Sequence, residues 1–196
     1  MKKLIIGIFA LVLFQSQSLK AESMYMGVDY LSSTIDTGVT NISSKLDEKD
    51  TGYSIFAGLP VDENLSIEVS YQDFGEASLS GVSGNQFKLD GTTYEFTKTA
   101  SLTLGADSIA VAAKSKHQIN DNVSIYGKIG LHNWESTFGV SVGTASADVK
   151  TDGTDILYGA GIEANFNNLV FRAGYSLYDF DGDDVTSINA GLAYKF

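Results

Sequence analysis

Cysteine is absent from the 196-residue chain, which excludes a disulfide scaffold, a thiol nucleophile, a zinc–thiolate site and a lipid-modified N-terminal Cys. Histidine occurs only as His117 and His132, too few for a His-rich metal site, and nothing calls for a cofactor. Basic residues are scarce: 13 Lys and Arg stand against 24 Asp and Glu, a formal charge of −11. No counterion-releasing basic patch can be assembled from them, so nucleic acid is excluded as a partner. Long hydrophobic runs are missing too. The apolar run Leu4–Phe14 is short of the roughly 18 residues that a membrane helix needs. With 43% hydrophobic and 19% charged residues the chain is equally unlike a charge-rich disordered one. What it does have is 20 glycines, 11% aromatic residues and length for one domain.

Met1-Lys2-Lys3 followed by that apolar run reads as a signal peptide, residues 1–21, and therefore as an exported protein. Cleavage is expected after Ala21; Leu19 fits the small-x-small rule poorly and leaves Ser18 as an alternative. Removing residues 1–21 takes away Lys2, Lys3 and Lys20 and no acid, so 24 acids then face ten bases and the formal charge is −14.

From Ser23 onward the sequence has period two. Leu65, Ile67, Val69 and Tyr71 alternate with Ser66, Glu68, Ser70 and Gln72, and Ile188, Ala190, Leu192, Tyr194 and Phe196 alternate with Asn189, Gly191, Ala193 and Lys195. Strands are expected at about 24–32, 52–60, 64–74, 106–118, 122–134, 155–166, 168–178 and 185–196, eight in all. Their connections alternate between short Asn/Asp turns (60–63, 118–122, 165–168) and longer Gly/Ser/Thr/Asp-rich segments (33–51, 75–105, 135–154), with a shorter acidic one at 179–184. All short turns then lie at one end. That asymmetry, short periplasmic turns and long external loops, belongs to outer-membrane barrels. A soluble ligand-binding barrel also alternates, but its outer face must carry many charges of both signs to stay solvated. Here the face opposite the apolar set holds glycines and isolated charges: Gly52, Gly58, Glu68, Lys114, Lys128, Glu163 and Arg172. The reading is lipid outside and a polar interior: an all-β, eight-stranded antiparallel up-and-down transmembrane barrel over residues 22–196.

Gly52–Gly58 (GYSIFAG), Leu65–Tyr71 (LSIEVSY), Tyr126–Gly130 (YGKIG), Gly159–Glu163 (GAGIE) and Phe171–Tyr175 (FRAGY), spread over the whole mature chain, resemble the N-terminal barrel of the outer membrane protein A family of Gram-negative bacteria. The resemblance implies a closed eight-stranded barrel in the outer membrane. The peptidoglycan-binding domain of longer members has no counterpart before Phe196, so cell-wall anchoring is not implied. Leu192, Tyr194 and Phe196 resemble the C-terminal insertion signal read by the outer-membrane barrel assembly machinery, which implies that machinery and periplasmic chaperones as partners. Phe166, Phe171, Tyr194 and Phe196 at the periplasmic end, and Tyr53, Tyr71 and Tyr175 toward the external end, read as two aromatic girdles. Alternation turns Trp134 inward, so either a bulge reverses the facing there or Trp134 caps the lumen.

The inward charges Glu68, Lys114, Lys128, Glu163 and Arg172, the last the sole arginine, fall at axial levels within about one Debye length of one another. An eight-stranded interior has room only for side chains, so they must pair: Glu68 and Glu163 neutralise Arg172 together with Lys128 or Lys114. In the resembled family such a set blocks or gates the lumen. Two roles follow. One is purely structural satisfaction of the polar interior; the other is a gate in which Glu68–Arg172 and Lys128–Glu163 pairings exchange and open a water path.

Asp179, Asp181, Asp183 and Asp184 around Gly182 lack the spacing of a calcium loop and read as a solvated acidic hairpin, with no metal site. A grouping of His132, Glu135 and Ser136 near the external rim is accounted for by polar clustering in a Ser-rich loop, and no catalytic residue is assigned. The expected function is a non-enzymatic, monomeric envelope protein among outer-membrane lipid and lipopolysaccharide, contributing to envelope integrity and forming at most a narrow, mostly closed pore. The alternative is a surface adhesin or receptor acting through its loops.

Overall fold

The computed structural model describes residues 24–196, which contain strands and turns and, among them, no helix. The signal peptide expected at 1–21 lies outside the described residues. Twelve strands follow in order: β1 (Tyr25–Ile35), β2 (Val39–Asn41), β3 (Lys45–Asp47), β4 (Lys49–Pro60), β5 (Leu65–Gly81), β6 (Gln86–Leu89), β7 (Thr92–Glu95), β8 (Ala100–Gln118), β9 (Val123–Val142), β10 (Ala145–Phe166), β11 (Leu169–Phe180) and β12 (Asp183–Lys195).

Eight of these form a ring of antiparallel neighbours, β5-β4-β1-β12-β11-β10-β9-β8, and β8 returns to pair with β5. First and last strands meet along their length, from Tyr25 opposite Lys195 to Ile35 opposite Val185. A closed ring leaves no strand edge unpaired, the condition under which a sheet can cross hydrocarbon. All eight expected strands are present. The outer face is the apolar set: Val28, Tyr30, Ile55, Ile129, Leu131 and Ile188 are exposed there. The girdle residues Tyr53, Phe166, Phe171, Tyr175, Tyr194 and Phe196 are exposed as well, and Tyr71 is half-buried against Tyr53, ring centroids 6.1 Å apart.

The long connections differ from their expected form. Residues 135–154 are not an open loop: β9 and β10 stay in register from Val123–Ala164 out to Val142–Ala145 and turn through Gly143 and Thr144. The 22 residues of β10 are about twice the 9–11 that cross a bilayer, so half of this hairpin stands above the membrane. Segment 75–105 likewise continues β5 and β8, and its remainder supplies β6 and β7, which form a small sheet with β2 from segment 33–51. Gly75 makes the extension possible. Its φ of +81°, a conformation that suits glycine, lies in the register shift between Asp73 and Glu76, so the inward set changes from Glu68, Gln72 and Phe74 to Ala77 and Leu79. The acidic connection 179–184 reduces to a turn at Asp181-Gly182, both at positive φ.

Candidate functional site

Alternation carries one polar side chain from each of several strands into the barrel at one height. Asp29 on β1, Glu68 on β5, Lys114 on β8, Glu163 on β10 and Arg172 on β11 are all buried, and Lys128 on β9 joins them, giving three acids and three bases. Arg172 is the hub. Its Nε donates to Asp29 Oδ1 at 2.8 Å, Nη2 donates to Asp29 Oδ2, and Nη1 donates to Glu68 Oε2 at 2.9 Å. The guanidinium also lies over the Phe56 ring, 3.2 Å from its centroid. Lys114 pairs with Glu163, sits 3.9 Å from Glu68 Oε2, and lies within 5.0 Å of the Tyr25 and Tyr126 ring centroids. Tyr25 donates its hydroxyl to Glu68 Oε2 at 3.2 Å. Asp29, Glu68, Lys114, Glu163 and Arg172 are thus each met by an opposite charge, the arrangement that makes burial of ions tolerable.

The sequence-derived cluster is brought together, with two changes. Lys114, not Lys128, meets Glu163, although the two cations lie directly opposite each other on β8 and β9. Lys128 extends instead toward Tyr178, 5.9 Å from its ring centroid, so the expected Lys128–Glu163 exchange partner is not in place. Asp29 was missed, although the alternation Tyr25, Gly27, Asp29 on β1 carries the signal. Its side chain fills space that a side chain at Gly191 would occupy, which explains a glycine in the facing strand.

A second, apolar layer lies above the ionic one. Phe74, Trp134 and Tyr178 are each six residues farther from the short turns than Glu68, Lys128 and Arg172 on the same strands, roughly 15 Å along the barrel axis. Phe74 stands edge-on to Tyr178 at 4.7 Å and to Phe180 at 5.9 Å, and Trp134 lies 5.0 Å from Phe180. Trp134, 5% exposed, packs over Gly153 and donates Nε1–H to Asp155 Oδ2 at 2.7 Å; it caps the lumen, and no bulge turns it outward. His132 is enclosed by Tyr178 and Phe180, with Nε2 2.8 Å from the Asp179 carbonyl oxygen, while Glu135 pairs with Lys150 on the other face. Below the ionic layer a cavity of about 380 Å³ opens at the short-turn end between Tyr25, Lys114, Glu163 and Lys195. No group of three or more acidic or histidine side chains among the described residues is placed to hold a metal ion.

The model of the outer membrane protein beta-barrel domain matches residues 6–196. No curated protein matches the chain by sequence. Several solved structures share the fold. Ail, the attachment invasion locus protein of Yersinia pestis, in complex with the heparin analogue sucrose octasulfate, is 19% identical at a TM-score of 0.55, covering 89% of this chain and 98% of that one. Neisserial surface protein A is 16% identical at 0.55, covering 88% and 97%. The N-terminal barrel of Pseudomonas aeruginosa OprF is 11% identical at 0.53, again covering 88% and 97%. A closed eight-stranded ring with an apolar exterior, a charge-paired interior and a family match over nearly its whole length lead to one conclusion: this chain belongs to the outer membrane protein beta-barrel domain family, the small Gram-negative outer-membrane barrels of the outer membrane protein A type.

Proposed function

We propose that the chain is a non-enzymatic, monomeric barrel of the outer membrane that supports envelope integrity and keeps its lumen closed to solutes. The observation that carries this reading is the double filling of the lumen, by the ion network around Arg172 and by the aromatic layer around Phe74 and Phe180. An opening would have to disrupt both, because moving Arg172 alone leaves Phe74, Trp134 and Phe180 in place. The gate suggested by the charges becomes a lock with a second bolt. Assembly is supported by the exposed terminal set Leu192, Tyr194 and Phe196, which suits recognition by the barrel assembly machinery after delivery by periplasmic chaperones. Outer-membrane lipid then surrounds the apolar band and lipopolysaccharide surrounds its outer rim.

Surface recognition is the second reading, favoured by the ordered β9–β10 extension, which holds residues 135–154 in a paired ladder rather than as free loops. The heparin analogue bound to Ail is a polyanion, whereas this chain carries 24 acidic residues, so its own surface ligand would not be of that charge. Deleting the protein from its host and complementing with wild type or with a variant lacking residues 139–148 separates the two. Integrity predicts leakage of bulky antibiotics in the deletion strain and full rescue by both. Rescue by the wild type alone would favour surface recognition, and no leakage in the deletion strain would remove the integrity reading.

A further inference from the structure

At the outer side of the aromatic layer lie two cavities that have Leu104 in common as a wall residue. The larger is about 470 Å³ and lies between apolar side chains of the barrel extension, Leu79, Leu102 and Phe138, and those of the small sheet, Phe87, Leu89 and Tyr94. This volume is within the roughly 300–1,000 Å³ of small-molecule pockets and holds roughly fifteen water-sized groups. The two apolar faces do not complete each other: Leu89 remains 37% exposed, Phe138 42% and Tyr94 47%. The smaller cavity, about 220 Å³, sets Asp36, Asp181 and Asp183 beside Trp134 and Phe180. Carboxylates grouped against aromatic faces suit an organic cation, which gains both ion pairing and cation–π attraction. Burial and the neighbouring Asp36 and Asp181 hold the Asp183 carboxyl above its usual range, a mutual repulsion that a bound cation would relieve.

We propose that these cavities form one site for a cationic single-chain amphiphile, its alkyl tail between Leu102 and Leu89 and its ammonium head among Asp36, Asp181 and Asp183. A fatty-acid anion of the same chain length is repelled by these acids, and a neutral detergent gains the tail contact alone. The site lies above both seals of the lumen and does not depend on whether the barrel conducts.

Trp134, the single tryptophan, stands in the wall of the head cavity and reports directly. The mature chain in phosphatidylcholine nanodiscs is titrated with dodecyltrimethylammonium below its micelle concentration, with dodecanoate and dodecyl maltoside in parallel. Saturable change of Trp134 fluorescence is expected for the cation, with the other two about tenfold weaker or more. Leu89→Lys, in the exposed small sheet, removes saturation, and Asp36→Asn with Asp183→Asn weakens the cation about tenfold, while heat-modifiable gel mobility shows each variant folded. Equal affinity for dodecanoate, no change in the wild type, or a non-saturating change identical in Leu89→Lys would overturn the proposal, the last showing partition into lipid only.

Discussion

Arg172 grips Asp29 side-on across an intervening strand: 143 residues apart in sequence, they meet with Nε 2.8 Å from Oδ1, while β12 runs between their own strands β11 and β1. The pair ties together the region where the first and last strands close the ring. Burying both ions is costly, and their mutual contact, with Glu68 as a third partner, offsets that cost.

Arg172→Ala leaves Asp29 and Glu68 buried without their main counterion and should destabilise the barrel by about 3–5 kcal/mol. A double-mutant cycle with Asp29→Asn checks it. Unfolding in urea, followed by loss of the fast-migrating unheated gel band, should show the single variants costing more together than the double variant does.

Phe196 is 68% exposed, its ring edge-on to Tyr194 at 5.3 Å, while its backbone N–H donates to the Met24 carbonyl at 2.9 Å. Phe196→Ala keeps that hydrogen bond and forfeits about 1.5–3 kcal/mol of ring burial at most. Refolding into micelles should therefore be near normal while the folded amount in cells falls. Wild-type levels in the outer membrane would remove the insertion-signal role, and failed refolding would reassign the residue to packing.

Gly153 lies under the indole of Trp134 so closely that a Cβ would come within 2.5 Å of the ring. Gly153→Val should push the indole out of the lumen, red-shifting its emission and breaking the Nε1–Asp155 hydrogen bond. An unchanged spectrum would mean that Trp134 does not cap the barrel as described.

Asp183, at the start of β12, has its carboxyl raised by burial first and then by Asp36, Asp181, Asp90 and Asp184. A folded-state pKa above the unfolded one means that the folded form binds the proton more tightly. The 179–184 turn should accordingly gain protection as pH falls through that raised value toward the usual 3.8, and lose it as pH rises. Amide exchange of Gly182 and Val185, corrected for intrinsic rates, should show this, and Asp183→Asn should flatten it.

The eight membrane strands and their facing were legible because lipid and a narrow lumen impose opposite demands on alternate residues, and Glu68 and Arg172 fell inward on that count alone. Partner choice was not legible. Lys114 and Lys128 face each other directly on β8 and β9, so depth and facing are the same for both, and the side-chain packing that brings Lys114 to Glu163 leaves no trace in the alternation. The ladder beyond the bilayer was hidden for another reason: there both faces of β10 meet water, so Ser, Thr, Gly and Asp replace the apolar alternation, and paired strand reads like loop. Gly75 reverses the facing of β5 at a point where composition gives no warning.

Ion current through single barrels in planar bilayers tests the two-layer closure most directly. Wild type, Arg172→Ala, and Phe74→Ala with Phe180→Ala should each carry negligible current, since each retains one intact layer, whereas the variant combining all three substitutions should show discrete conductance steps. A steady current through the wild type or through Arg172→Ala alone would contradict the account, showing that the aromatic layer does not seal the lumen.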